Sequence, residues 1–191
     1  MLKKILIIHP EGNIHNNPNL LGIVQILCEN GYNVDVISLK RPEIYQGPPC
    51  PKAQLITYDR KLDLPDYFGY VSLHALESIN AEEIIRYYST KFTQYQLIIG
   101  VDRGIIEGSI ISKIQGIPLG YISYEIFFED ETGSEFKKAE IDACSTIKFA
   151  ICQDDLRSHH LSIQNKIARE LIVNIPVTGR VRKTISENNF L

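Results

Sequence analysis

The sequence predicts an α/β domain built on a doubly wound parallel sheet in three α/β/α layers, and three observations predict it. Short apolar runs without strict alternation recur along the chain, as strands buried on both faces require. Between them lie segments whose apolar residues fall at helical spacing. The two patterns alternate, which is the order that feeds a parallel sheet covered on both faces. The fullest unit occupies residues 95–130. Residues 97–101 are an apolar run that ends at the charged pair Asp102 and Arg103. Ile106, Ile110 and Ile114 then recur every four residues, Ile105 and Ile111 widen the stripe, and Gly116 with Pro118 supplies the stop. Residues 118–123 read as the next strand and end at Tyr124 and Glu125. A right-handed crossover sets both strand ends on one edge of the sheet, so Asp102, Arg103 and Glu125 should share a rim.

The other elements follow in order. Residues 5–8 form the first strand, followed by a polar loop rich in Gly, Asn and Pro. A helix opens with Asn17 as cap and Pro18 at its first position, buries Leu20, Val24, Leu27 and Cys28, and closes at Gly31. Residues 33–39 and 54–58 read as the second and third strands. Residues 59–78 give little signal beyond a short apolar run at 70–73. Asn80 and Glu83 form a capping box that opens a helix over 80–92. After the central unit, residues 127–136 read as an acidic loop, and Phe136, Ala139 and Ala143 mark a weaker helix. Residues 149–152 form a strand. Asp154 and Asp155 then suit the cap and first turn of a helix with Leu156, Ile163 and Ile167 on its buried stripe. A last strand over 171–175 stops at Pro176. Residues 1–177 thus read as a single Rossmann-like domain, and 178–191 as a polar tail or the start of a link to a further domain.

Composition narrows the function. At 191 residues and 44% hydrophobic content, the chain can bury one large core. A net charge of -3 without a basic cluster argues against nucleic acid as a partner. The N-terminal apolar run ends at His9 and Pro10, too soon for a signal sequence or a transmembrane segment. Cys28, Cys50, Cys144 and Cys152 are scattered without a CxxC, which reads as four reduced thiols. The expected location is cytoplasmic, either free or peripheral at a membrane.

In open parallel sheets, ligands sit beyond the carboxyl ends of the strands. The residues there are Gly12, Asn13 and His15 after the first strand, Asp102 and Arg103, Tyr124 and Glu125, and Gln153 with Asp154. There is no GxGxxG, no P-loop and no Ser/Thr cluster for a flavin phosphate, so no cofactor is expected. No metal is expected either: His159 and His160 are adjacent, and neighbours on a helix point about 100° apart. A GxSxG elbow is absent. Asp102 can contact a ligand, cap the following helix or form an ion pair, and Glu125 can contact a ligand or cap. With Phe127 and Phe128 close behind, Tyr124 and Glu125 could form a partly apolar pocket mouth for a sugar or lipid headgroup.

Taken together, KKILIIHPEG, NGYNVDVISL, YQLIIGVDRGIIEGSIISKIQGIPLGYISYEIFFE and FAICQDDLRSHHL resemble the N-terminal half of GT-B glycosyltransferases that transfer hexoses from nucleotide sugars. Tyr124 and Glu125 match the start of that family's Tyr-Asp/Glu-x-His-Glu string, and Phe127 stands where its histidine would be. Gln153, Asp154 and Arg157 fit a second segment. The resemblance implies an acceptor-binding domain in which Gly12, Asn13, His15, Asp102, Arg103, Tyr124 and Glu125 line the cleft, with the catalytic residue unidentified. It also implies a nucleotide-sugar donor held by a second domain absent from this chain, and a carbohydrate or lipid-linked acceptor. The family's pair of glutamates eight residues apart is missing here, so the chain alone should not turn over. A second reading, of a different class, is a regulatory or assembly module in which Phe127 and Phe128 form an exposed patch for a protein partner.

Overall fold

A computed structural model gives the fold, and it describes residues 3–10, 14–39, 47–58 and 95–176. Its strands are β1 (Lys4–His9), β2 (Asn33–Leu39), β3 (Ala53–Tyr58), β4 (Leu97–Val101), β5 (Leu119–Ile122), β6 (Phe149–Cys152) and β7 (Ile172–Asn174). They form one seven-stranded sheet in the order β3-β2-β1-β4-β5-β6-β7, with every neighbouring pair parallel. The fold is the doubly wound, Rossmann-like sheet expected from the sequence. The order reverses between β1 and β4.

Successive side chains alternate between the two faces. Ile5 and Ile7 join Val34, Val36, Ile99, Val101 and Ile122 on one face. Leu6 and Ile8 join Ile37, Ile98, Leu119, Tyr121 and Ala150 on the other. Both faces are buried, which is why the strands read as continuous apolar runs. Helix α1 (Pro18–Glu29) covers the first face through Leu20, Val24 and Cys28, and the Asn17 side chain accepts from the Leu20 N–H at 3.0 Å. Three helices, α2 (Gly104–Gln115), α4 (Ser134–Cys144) and α5 (Asp155–Asn165), cover the second through Ile105, Ile111, Ala143, Cys144 and Leu161.

The turn from β4 into α2 is packed backbone to backbone. A Cβ on Gly104 would sit 2.2 Å from the Ile8 carbonyl oxygen, and one on Gly100 would sit 2.4 Å from Ile105 Cα. Only glycine fits at either position. Gly104→Ala should therefore cost about 1–3 kcal/mol through overpacking. Urea denaturation checks this, and an unchanged midpoint would count against the packing described.

Several expectations need correction. The acidic stretch 127–136 is not a loop: it contains the one-turn helix α3 (Glu129–Thr132) and the start of α4, separated by Gly133 at φ 87°. On α5, Leu156 and Ile163 are 68% and 58% exposed, while Ser158, Leu161 and Asn165 face inward. Polar contacts set that phase, because Ser158 pairs with the Cys152 thiol and Asn165 with the Lys137 ammonium. The last strand is shorter than expected, since Arg169–Leu171 is a 3₁₀ turn, although the Ile175 N–H still donates to the Cys152 carbonyl. Cys28 and Cys50 are joined in a disulfide, so only Cys144 and Cys152 remain thiols. Both partners precede neighbouring strands at the amino edge of the sheet, an adjacency that 22 residues of separation conceal. The helix expected over 80–92, the run at 70–73 and the tail 178–191 lie outside the described residues.

Candidate functional site

Strand order places the candidate residues. The reversal between β1 and β4 opens a crevice at the carboxyl edge, because the connections after these two strands leave in opposite directions. His15 follows β1 in a 3₁₀ turn, Ile14–Asn16, and its Nε2 lies 2.8 Å from the Gly47 carbonyl oxygen. Asp102 and Arg103 follow β4. Gly12 and Asn13 lie outside the described residues.

Asp102 is 2% exposed and holds a left-handed φ of 48°, uncommon for a residue with a Cβ. It does not cap α2. Arg103 takes the N-cap position without a side-chain hydrogen bond, while Asp102 Oδ1 accepts from the Tyr124 N–H at 2.7 Å and the Glu125 N–H at 3.0 Å. The turned backbone aims the carboxylate at the next strand's exit loop rather than at its own helix.

That loop, residues 123–128, is held by side chains from several elements. Ser123 Oγ donates to the Glu125 carbonyl at 2.7 Å, Arg157 Nη1 donates to the Tyr124 carbonyl, and Lys137 Nζ donates to the Phe127 carbonyl at 2.6 Å. The Glu125 residue itself is exposed. The result is a carboxylate presented from a pinned main chain. Asp102→Ala would leave two amides without this acceptor, at a cost of about 1–3 kcal/mol. The specific sign is faster hydrogen exchange at the Tyr124 and Glu125 amides, and unchanged exchange there would refute the role given to Asp102.

Arg103 lies over two rings, with its guanidinium carbon 5.0 Å from the Phe127 centroid and 4.9 Å from that of Phe136. The two rings meet edge to face at 5.6 Å. Phe127 is thus buried beneath Arg103 and does not line a pocket mouth, which corrects the sequence expectation. Phe128 is partly buried, 6.0 Å from the His160 ring. One turn beyond Arg103, burial pushes the Glu107 carboxyl up to about 8, against a smaller lowering by its own backbone N–H and by Arg103.

A cavity of about 160 Å³ opens beside this loop, between α1 and the ends of β5, β6 and β7. Its lining includes Asn19, Gly22, Ile23, Tyr124, Ile151 and Gln153. Burial also pushes the Tyr124 hydroxyl up, and that hydroxyl finds no hydrogen-bond partner among the described residues.

The structure therefore brings Asp102, Arg103, Tyr124 and Glu125 together, while the His15 ring contacts the Gly47 carbonyl before β3. Sequence reasoning missed Lys137 and Ser123 as supports and Gly22 as a cavity residue. A lysine in an amphipathic helix reads as solvent-facing, so no local signal marked Lys137. Among the described residues, no group of three or more His, Cys, Asp or Glu side chains is placed to hold a metal ion. Among them too, no helix is long and apolar enough to cross a membrane.

No protein-family model matches the sequence, and no curated protein sequence matches it. Solved structures do match in fold. The Anabaena protein HepE, solved with UDP and glucose, superposes with a TM-score of 0.62 at 16% identity, over 91% of this chain and 44% of its own. The lipopolysaccharide outer core galactosyltransferase WaaB gives 0.58 at 9% identity, over 92% and 45%. The UDP-GlcNAc 2-epimerase of Methanocaldococcus jannaschii gives 0.53 at 9%, also over 92% and 45%. The fold is that of the N-terminal Rossmann-like domain of GT-B proteins, as the sequence resemblance implied. The chain spans less than half the length of these three proteins.

Proposed function

We propose that this chain is the acceptor-side domain of a GT-B glycosyltransferase and works with a donor domain that holds the nucleotide sugar. The observation that carries the reading is the convergence of Asp102, Arg103, Tyr124 and Glu125 at the point where strand order reverses. In this reading the exposed Glu125 carboxylate accepts hydrogen bonds from acceptor hydroxyls, and Asp102 fixes the main chain that presents it. Arg103, confined over Phe127 and Phe136, offers donors from a set position. A phenyl ring at Phe127 supplies no acid or base, so the chain contributes binding, with His15 after β1 as a further polar contact. The acceptor is a carbohydrate or a lipid-linked one, met in the cytoplasm or at a membrane surface. The complexes of HepE with UDP and UDP-glucose support nucleotide-sugar chemistry for the fold. The assembly-module reading keeps only part of its patch, because Phe127 is buried and Phe128 partly buried.

The test is transfer of labelled sugar from UDP-sugars, run on the 191-residue protein and on the complete product of its reading frame. Transfer by the complete product and none by this chain alone is the expected result. Glu125→Gln in the complete product should raise the acceptor KM by about tenfold or more. Interconversion of epimeric UDP-sugars without transfer would replace the reading with an epimerase. Tight UDP binding by the 191-residue protein alone would overturn the acceptor-side assignment.

A further inference from the structure

We infer that the cavity between α1 and the ends of β5 to β7 takes the apolar part of an uncharged glycoside, about one ring in size. The inference rests on the acceptor-side reading and names the class of acceptor. Because α1 runs antiparallel to the strands, its first turn lies at the carboxyl edge. Asn19 in that turn and Gln153 just after β6 thus put two carboxamide residues in the lining at that edge. Ile23, Ile26, Ile151 and Ile175 supply apolar wall. The cavity thus pairs two carboxamides with a mainly apolar wall, part of which, Ile26 and Ile175, is exposed.

Charge and size narrow the occupant. Among the described residues no Asp, Glu, Lys or Arg lines the cavity, so a phosphate or carboxylate placed there would lose its hydration without a counter-charge from them. A volume of about 160 Å³ is close to that of an engineered cavity that admits benzene. Part of the space comes from Gly22, where an added Cβ would meet no atom within 4 Å. Glycine inside a helix is otherwise unfavourable by about 1 kcal/mol against alanine, and no close approach requires it here.

Tyr124 connects the cavity to the site. Its side chain lines the cavity, while its amide is held by Asp102 and its carbonyl by Arg157. A glycoside with its ring against Ile151 would carry its sugar hydroxyls to the edge where Glu125 stands.

The probe is phenyl β-D-glucopyranoside, titrated into the 191-residue protein by calorimetry, beside methyl β-D-glucopyranoside and phenyl phosphate. Saturable binding of the phenyl glucoside, with the other two about tenfold weaker or undetectable, is expected. Gly22→Leu fills the open space with a better helix former, so it should weaken phenyl glucoside binding about tenfold or more while Tm holds or rises. No binding of the phenyl glucoside, or binding that Gly22→Leu leaves intact, overturns the inference. Equal binding of phenyl phosphate overturns the uncharged class. Transfer by the complete product without phenyl glucoside binding leaves the acceptor-side reading standing and sinks this one. Binding lost in Gly22→Leu, with no transfer from any donor, does the reverse.

Discussion

Lys137→Met should destabilise the protein by about 3–5 kcal/mol, because it breaks a fully buried charge network by removing one partner. Lysine is rarely buried unless paired, yet Lys137 is 3% exposed and Glu140 1%. All three ammonium protons have acceptors: the Phe127 carbonyl, Glu140 Oε2 and Asn165 Oδ1. Glu140 Oε1 in turn accepts from the Tyr121 hydroxyl at 2.9 Å. Methionine fits the same space but leaves the Glu140 carboxylate buried without its cation. The double variant Lys137→Met with Glu140→Leu should recover much of the loss, since a well-packed apolar replacement of a buried pair is often neutral. Urea midpoints for both variants decide the matter. A double variant no more stable than the single would show that the loss came from packing rather than charge.

Glu107→Gln should change the shape of the stability profile against pH. The folded carboxyl holds its proton up to about 8, against 4.5 for the ordinary group. Between those values the native state binds the proton more tightly than the unfolded chain does. Stability from this group is fully present below pH 4.5 and is lost as pH rises towards 8, at ~1.4 kcal/mol per pH unit. The neutral amide removes that slope. Denaturation midpoints at pH 5 to 8.5 should fall more steeply in the parent than in Glu107→Gln, and parallel curves would refute a buried, proton-holding Glu107.

What was legible in the sequence was local or two-faced. The 97–101 and 149–152 strands appear with the expected bounds because burial on both faces leaves an unbroken apolar run, and the 33–39 strand does so from its loose alternation around Val34 and Val36. The Asn17 and Asp154 caps were legible because a cap bonds to backbone three residues on. The misreadings involve partners distant in sequence. The inward face of α5 is chosen by Cys152 and Lys137, so the apolar periodicity of Leu156 and Ile163 misled. Asp102 looked like a cap because its partners, the Tyr124 and Glu125 amides, belong to the next strand's exit. At the candidate site the residue positions could be read from the strand ends, whereas their supports and the adjoining cavity could not.

The pairing of β1 with β4 has a kinetic consequence. It joins Ile5 to Leu97, a wider sequence gap than any other ladder in the sheet spans. Loop-closure entropy delays such contacts, so the β1 to β3 unit and the β4 to β7 unit should each gain order before they meet. The crevice lies on that seam, and a pulse-labelled refolding chain should protect the Gln96 amide, which donates to the Lys4 carbonyl, later than the Ser123 amide within the second unit.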